Sequence, residues 1–261
     1  MYDILILGAG PAGISAGIYA VSRGQKALVL EQAQVGGIIG KVSTVTHYTA
    51  LENQETGASF AQRMKEQALR AGVEIAYETV TEVDLVGEVK TVRTDKGVHQ
   101  ARRVILANGG TPRKLGIPGE KELAGKGMGM NAARDGAAYT GKNIYVVGGA
   151  DGAVKEALYL SSLARQMTII HFEDQLGCIA EFRQKVAAAG NITLRLASRL
   201  HGVYGQDQVE RLEIANLRDG SIETSEDPGC GIFVYAGLTP NTQLYTQLTL
   251  QDGYIPTNQK L

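Results

Sequence analysis

The chain has 261 residues, with 26 Lys and Arg against 27 Asp and Glu, a net charge of −1 and a hydrophobic share of 44%. That length holds one large domain or two ordinary ones, and the composition argues against disorder. With no basic field to offer and no apolar run near the ~18 residues of a membrane span, neither a nucleic-acid nor a membrane partner is expected.

In chain order, Met1 to Ile14 runs an apolar strand into Gly8-x-Gly10-x-x-Gly13, which opens a helix. The first glycine permits the tight turn, the second lets backbone N–H groups meet a pyrophosphate, and the third lets helix and strand pack closely. Lys26 to Glu31 is the next strand, and its terminal acid suits a ribose 2′-hydroxyl. Asp3 interrupts the N-terminus and no basic region precedes it, so no secretory leader is expected and the location expected is cytoplasmic. Gly57 to Gly72 reads as an amphipathic helix with Phe60, Met64, Ala68 and Ala71 on one side. Short alternating strands follow over 73–77, 80–86 and 90–94, and Arg103 to Pro112 leaves a strand through glycines and a proline, a plausible domain exit.

The opening pattern then returns. Asn143 to Gly148 is a strand ending in glycine, Val154 to Ala164 is helix-like, and Met167 to Phe172 is the partner strand. Two such βαβ units predict two dinucleotide sites, with the chain re-entering the first domain beyond Pro240. Cys178 and Cys230 match no zinc, CxxC or disulfide-scaffold spacing and read as small buried hydrophobes. His47, His99, His171 and His201 are scattered without ligand spacing, so no metal site is expected.

Almost end to end, the sequence resembles the low-molecular-weight thioredoxin reductase family, among the FAD-dependent pyridine nucleotide-disulfide oxidoreductases. The residues that carry the resemblance are Gly8-Ala-Gly-Pro-Ala-Gly13, Gly36-Gly37, Ala107-Asn-Gly109, Leu115-Gly-Ile-Pro-Gly119, Lys155-Glu-Ala-Leu-Tyr-Leu-Ser161, Gly237-Leu-Thr-Pro-Asn-Thr242 and Gly253-Tyr-Ile255. It implies an α/β fold of two Rossmann-like, three-layer nucleotide-binding domains, the second inserted in the first. Residues 1–111 plus 244–261 would form the FAD-binding domain and 112–243 the NAD(P)-binding-like domain, with the isoalloxazine in the cleft between them and a homodimer as the usual assembly. By the same resemblance, Gly8, Gly10, Pro11, Ala12 and Gly13 hold the FAD pyrophosphate, Glu31 the adenosine ribose and Val80 the adenine region. Ala107, Asn108 and Gly109 stand at the family's A-T-G. Gly36, Gly37 and His47 approach the flavin, although the family usually has asparagine at the position of His47. Gly148, Gly149, Ala153 and Glu173 form the second, NAD(P) site.

The departures bear on function. Where the family has C-A-T-C-D-G, this chain reads Asn131-Ala-Ala-Arg-Asp-Gly136, so both redox cysteines are absent and disulfide reduction by the family's route is not expected. Arg134 falls at the flavin-proximal cysteine, where a cation stabilises reduced flavin; the alternatives are solvent or an ion pair with Asp135, which itself reads as a proton donor or a helix cap. At the second site Ala150 and Asp151 oppose a diphosphate. The paired arginines that follow His171 in NADPH-specific members are here Phe172 and Glu173, which disfavours NADPH and suits NADH. The competing reading is a degenerate site fed by a protein donor such as a ferredoxin. The family continues past its G-Y-I strand through a last strand and a closing helix, so the FAD domain is expected to be truncated at Leu261. The expected activity is an FAD-dependent oxidoreductase that moves electrons through flavin without a dithiol, with NADH or a ferredoxin-like protein as donor. The alternative is a catalytically degenerate nucleotide-binding protein with a regulatory or assembly role.

Overall fold

A computed structural model describes residues 1–257 of the chain; the last four residues of the expected 244–261 segment lie outside the described residues. The chain forms two compact units, one of Met1–Thr111 together with the segment from Thr239, the other of Pro112–Leu238. The return thus falls at Thr239, earlier than the expected 244.

In the first unit the elements are β1 (Tyr2–Leu7), α1 (Pro11–Ser22), β2 (Ala27–Glu31), α2 (Gly57–Arg70), β3 (Glu74–Tyr77), β4 (Val80–Asp84), β5 (Lys90–Thr94), β6 (Val98–Leu106) and β7 (Gly110–Pro112). The six-stranded sheet runs β3-β2-β1-β6-β5-β4, parallel from β3 through β6 and antiparallel beyond. Alternation along β1 and β2 splits their side chains between two cores. Ile6 and Val29 face α1 and α2, packing with Ile14, Ala20 and Ala68. Leu5, Leu7, Leu28 and Leu30 face the other way, onto Val83 and Val92 of the antiparallel strands and onto Tyr245 of the returning segment. Helix α2 begins at a reciprocal cap in which Thr56 Oγ1 accepts from Ser59 N–H and Ser59 Oγ from Thr56 N–H. Of its expected apolar face, Ala68 is buried and Phe60 and Met64 are half-buried, while Ala71 is the exposed C-cap, one position past the last turn that can face the core.

The second unit holds α3 (Ala132–Asp135), β8 (Asn143–Val147), α4 (Asp151–Ser161), β9 (Gln166–Ile170), α5 (Ala180–Ala188), β10 (Ile192–Arg195), β11 (Ser198–Tyr204), β12 (Arg211–Asn216), β13 (Ile222–Glu226) and β14 (Gly231–Val234). A four-stranded parallel sheet, β10-β9-β8-β14, carries α4 and α5 on one face. On the other, Tyr145, Val147 and Ile170 pack against Leu200, Val203 and Leu212 of the three-stranded antiparallel sheet β11-β12-β13. The two crossings, β7 and β15 (Leu238–Pro240), pair as a two-stranded ribbon. Among the described residues no helix is long and apolar enough to cross a membrane.

Tyr245 anchors the return. It is 2% exposed, and its hydroxyl donates to Asn108 Oδ1 in the turn after β6. Replacing it with alanine leaves a cavity and an unpaired Asn108, so Tyr245→Ala should lower unfolding stability by about 3 kcal/mol. Urea denaturation followed by circular dichroism measures this, and a loss under about 1 kcal/mol would show that the returning segment is not needed to close the first core.

Candidate functional site

The first unit presents its glycine turn at the carboxyl end of the parallel strands, where ligands of such sheets bind. Gly8 has φ +106°, and Gly8 N–H donates to Leu30 O at 2.8 Å. A Cβ at Gly13 would overlap the Gly8 carbonyl, so only glycine lets α1 start this close to β1. Gly10 is the N-cap, nothing stands within 4 Å of where its Cβ would lie, Pro11 opens the helix and no side chain caps it. With Pro11 and Ala12 exposed, the helix N-terminus is open to an anion. Gly37 packs here too, its Cβ position 3.4 Å from Gly10 Cα, and Gly36 N–H donates to Ala9 O at 2.9 Å.

Glu31 ends β2 with its carboxylate fixed by two backbone donors, Ala9 N–H to Oε2 and Ala33 N–H to Oε1, both at 2.9 Å. It lines a cleft of about 320 Å³ with Gly8, Val80 and Asn108. Sequence reading singled out none of the other lining residues, among them the polar Gln32, Glu78, Thr111, Asn241 and Gln243. Asn241 Nδ2–H donates to the Asn108 carbonyl at 2.9 Å, and Thr111 Oγ1–H to Asn241 Oδ1 at 2.7 Å. The only signal for Asn241 was its place in Gly237 to Thr242. Ala107 follows β6, its N–H bonded to Leu7 O at 2.9 Å, and Gly109 turns at φ +62°. Gly36, Gly37 and His47 are not part of the cleft lining; His47 is exposed at φ +58°.

In the second unit the same turn recurs with different chemistry. Gly148 has φ +134° and donates to Ile170 O at 2.9 Å, and buried Ala153 stands beneath it. Ala150 is the N-cap of α4. The Asp151 carboxylate, expected to confront a diphosphate, accepts the Ile179 N–H at 2.8 Å instead. Glu173, past the end of β9, receives His171 Nε2 at 3.0 Å, and a Cβ at Gly149 would run into the His171 ring.

Asn131, Arg134 and Asp135 form a hydrogen-bonded cluster. Asn131 Oδ1 caps α3 by accepting Arg134 N–H at 2.9 Å, and Asp135 Oδ2 accepts Asn131 N–H at 2.7 Å. The Arg134 guanidinium grips Asp135 through two bonds of 2.7 Å, so of the alternatives open for Arg134 the structure shows the ion pair. Cys178 and Cys230 are buried; burial raises both thiols, that of Cys230 to about 12, which keeps them protonated and unreactive. Among the described residues no cluster fit to hold a metal ion occurs.

Two glycine-turn βαβ units recur in the chain, one with Glu31 ending its second strand and the other with Glu173 just past its second strand. The sequence matches the pyridine nucleotide-disulphide oxidoreductase family over residues 2–261, and the chain belongs to that family. Thioredoxin reductase of Peptoclostridium acidaminophilum is 35% identical over all of this chain and 85% of its own. The 34.2 kDa protein in the rubredoxin operon of Clostridium pasteurianum is 32% identical over 99% of this chain and 84% of its own. The crystal structure of Lactococcus lactis thioredoxin reductase in its FR conformation superposes with a TM-score of 0.94 at 31% identity, covering 99% of this chain and 86% of that one. The chain is thus a thioredoxin reductase-like flavoprotein oxidoreductase with Rossmann-type nucleotide-binding folds.

The Arg134 hydrogen bonds hold the Asp135 carboxyl below the usual carboxylate range. A lowered folded value contributes stability above the ordinary carboxylate pKa and loses it as pH falls through the folded value. Arg134→Ala should therefore lower the urea midpoint near pH 7, and that difference should vanish once Asp135 is protonated in acid. A difference that persists unchanged below about pH 2 would mean that the arginine acts by packing rather than charge.

Proposed function

We propose that the protein is an FAD-dependent oxidoreductase that passes electrons between a donor and an outside acceptor without a dithiol of its own. The observation that carries this is the Gly8–Gly13 turn with its open helix N-terminus beside a Glu31 carboxylate fixed by Ala9 and Ala33. The turn would take the pyrophosphate on the N–H groups of α1, Glu31 would take a ribose hydroxyl, and the cleft wall at Val80 the adenine. Bound FAD supplies one- and two-electron redox chemistry. This chain's residues bind and orient it; none of its thiols enters the reaction, because Asn131 and Arg134 stand where the family has cysteines and Cys178 and Cys230 are held as buried thiols.

For the donor, Glu173 favours NADH over NADPH, since a carboxylate accepts a ribose 2′-hydroxyl and repels a 2′-phosphate. The engagement of Asp151 by Ile179 removes part of the objection to a diphosphate there. A protein donor or acceptor is the second reading, supported by the similarity to a protein encoded in a rubredoxin operon. A cytoplasmic homodimer accords with both.

Anaerobic titration of the purified full-length protein, following flavin absorbance, separates these readings. NADH should bleach the flavin, with NADPH at least ~10-fold less effective given the missing phosphate partners. Bleaching by reduced ferredoxin alone supports the protein donor. If no donor reduces bound flavin, the protein is a degenerate nucleotide binder with a regulatory or assembly role, and if no flavin copurifies the cofactor assignment falls. The double variant Asn131→Cys with Arg134→Cys should gain disulfide reductase activity from a wild-type level near zero.

A further inference from the structure

Around the end of β9 in the second unit, three consecutive side chains have distinct surroundings. His171 is 5% exposed and its ring covers Gly149 of the glycine turn, so the turn and the strand end form one packed body. Its Nε2 meets Glu173 Oε2 at 3.0 Å, while its buried Nδ1 has no partner. The buried ring thus seats the carboxylate, and His171 acts as a positioning residue for Glu173. The backbone of this segment is clamped from both sides. His171 N–H donates to Arg195 O at 2.9 Å, Ser198 N–H to His171 O at 2.9 Å and Ala197 N–H to Glu173 O at 2.8 Å. Glu173 remains 53% exposed on the solvent side, and a Cβ at Gly177 would meet only Glu173 Oε2, at 3.7 Å, so access to the carboxylate is open.

Phe172, between them, has the opposite character. Its ring, in the bend after β9, is 53% exposed, and it meets the His171 ring edge-on at 5.0 Å between centroids. The Arg199 guanidinium of β11 lies over it at 5.6 Å. Arg199 is exposed and makes no ion pair among the described residues. A guanidinium at that distance, on a flexible stem, can move to admit a flat heterocycle against the Phe172 ring, where both stacking and cation–π attraction act.

We propose that Phe172 and Arg199 form the adenine platform of the second nucleotide site, with Glu173, set by His171, on the adjoining ribose, so that the ligand is an adenine nucleotide whose ribose 2′-hydroxyl is free. The proposal rests on the reading of this unit as a nucleotide site. Glu173 can only accept hydrogen bonds when ionised, which suits a diol and not a phosphate.

The test uses the full-length, flavin-loaded protein and isothermal titration with three probes: ADP-ribose, 2′-phospho-ADP-ribose and reduced nicotinamide mononucleotide, which lacks adenine. Wild type should bind ADP-ribose more tightly than its 2′-phospho form. Phe172→Ala should weaken ADP-ribose about tenfold and Arg199→Gln several-fold, each without effect on the mononucleotide, and Phe172→Tyr should retain the wild-type affinity. Because Phe172 is exposed, its truncation leaves the core intact, and unchanged thermal unfolding checks this. ADP-ribose binding that neither variant alters overturns the platform and leaves the NADH reading standing. Tighter binding of the 2′-phospho form would make Arg199 a phosphate partner and overturn the proposal. If wild type binds no ADP-ribose and NADH fails to bleach its flavin, the nucleotide reading of this unit falls along with the platform.

Discussion

The approach of α1 to β1 is the constraint on which the first unit rests. Gly13 lies against the Gly8 carbonyl with no room for a methyl group, and this contact sets where the helix begins. From there α1 covers the Ile6 and Val29 face of the sheet, and its N-terminus opens at the strand ends beside Glu31. A single methyl at Gly13 would overlap the Gly8 carbonyl oxygen and push the helix off that face, so core packing and the position of the helix N-terminus depend on the same contact.

The second unit meets the same geometric demand with Ala153 where the first has Gly13, and the two acids are held differently. Glu31 is fixed by main-chain N–H groups, which no substitution of a neighbour can remove. Glu173 depends on the imidazole of His171, itself seated on Gly149. The placement of Glu173 is therefore open to change by single side-chain substitutions, while that of Glu31 rests on the backbone. This contrast accords with a chain that keeps its first glycine turn and departs from its family around the second.

Local pattern made much of this legible. Glycine turns, period-two strands and the acid ending β2 are short-range signals, and β1 to β5, β8 and β9 form where they predict, whereas β10 to β14 carried no such signal in the sequence reading. Asp151 reads in sequence as the N-cap of α4, but Ala150 takes that place and the carboxylate bonds Ile179, a partner 28 residues on that no local pattern marks. Thr111, Asn241 and Gln243 reach the cleft from both sides of a long insertion, and nothing in their local composition marks that meeting. Arg134 was undecided for a similar reason: spacing puts it beside Asp135 and the flavin-proximal position alike, and the structure shows it paired with Asp135 while its side chain stays largely exposed.

Tyr245 has a consequence for how the chain is made. The face formed by Leu5, Leu7, Leu28 and Leu30 is completed in part by a residue that follows the whole of the second unit. During synthesis the first unit emerges with that part of its core uncovered and stays so until residues 112–238 have been translated. Prompt folding of the second unit brings β7 and β15 side by side and shortens the effective loop that Tyr245 must close. The core of the first unit is thus completed only by residues that lie beyond the inserted unit in sequence.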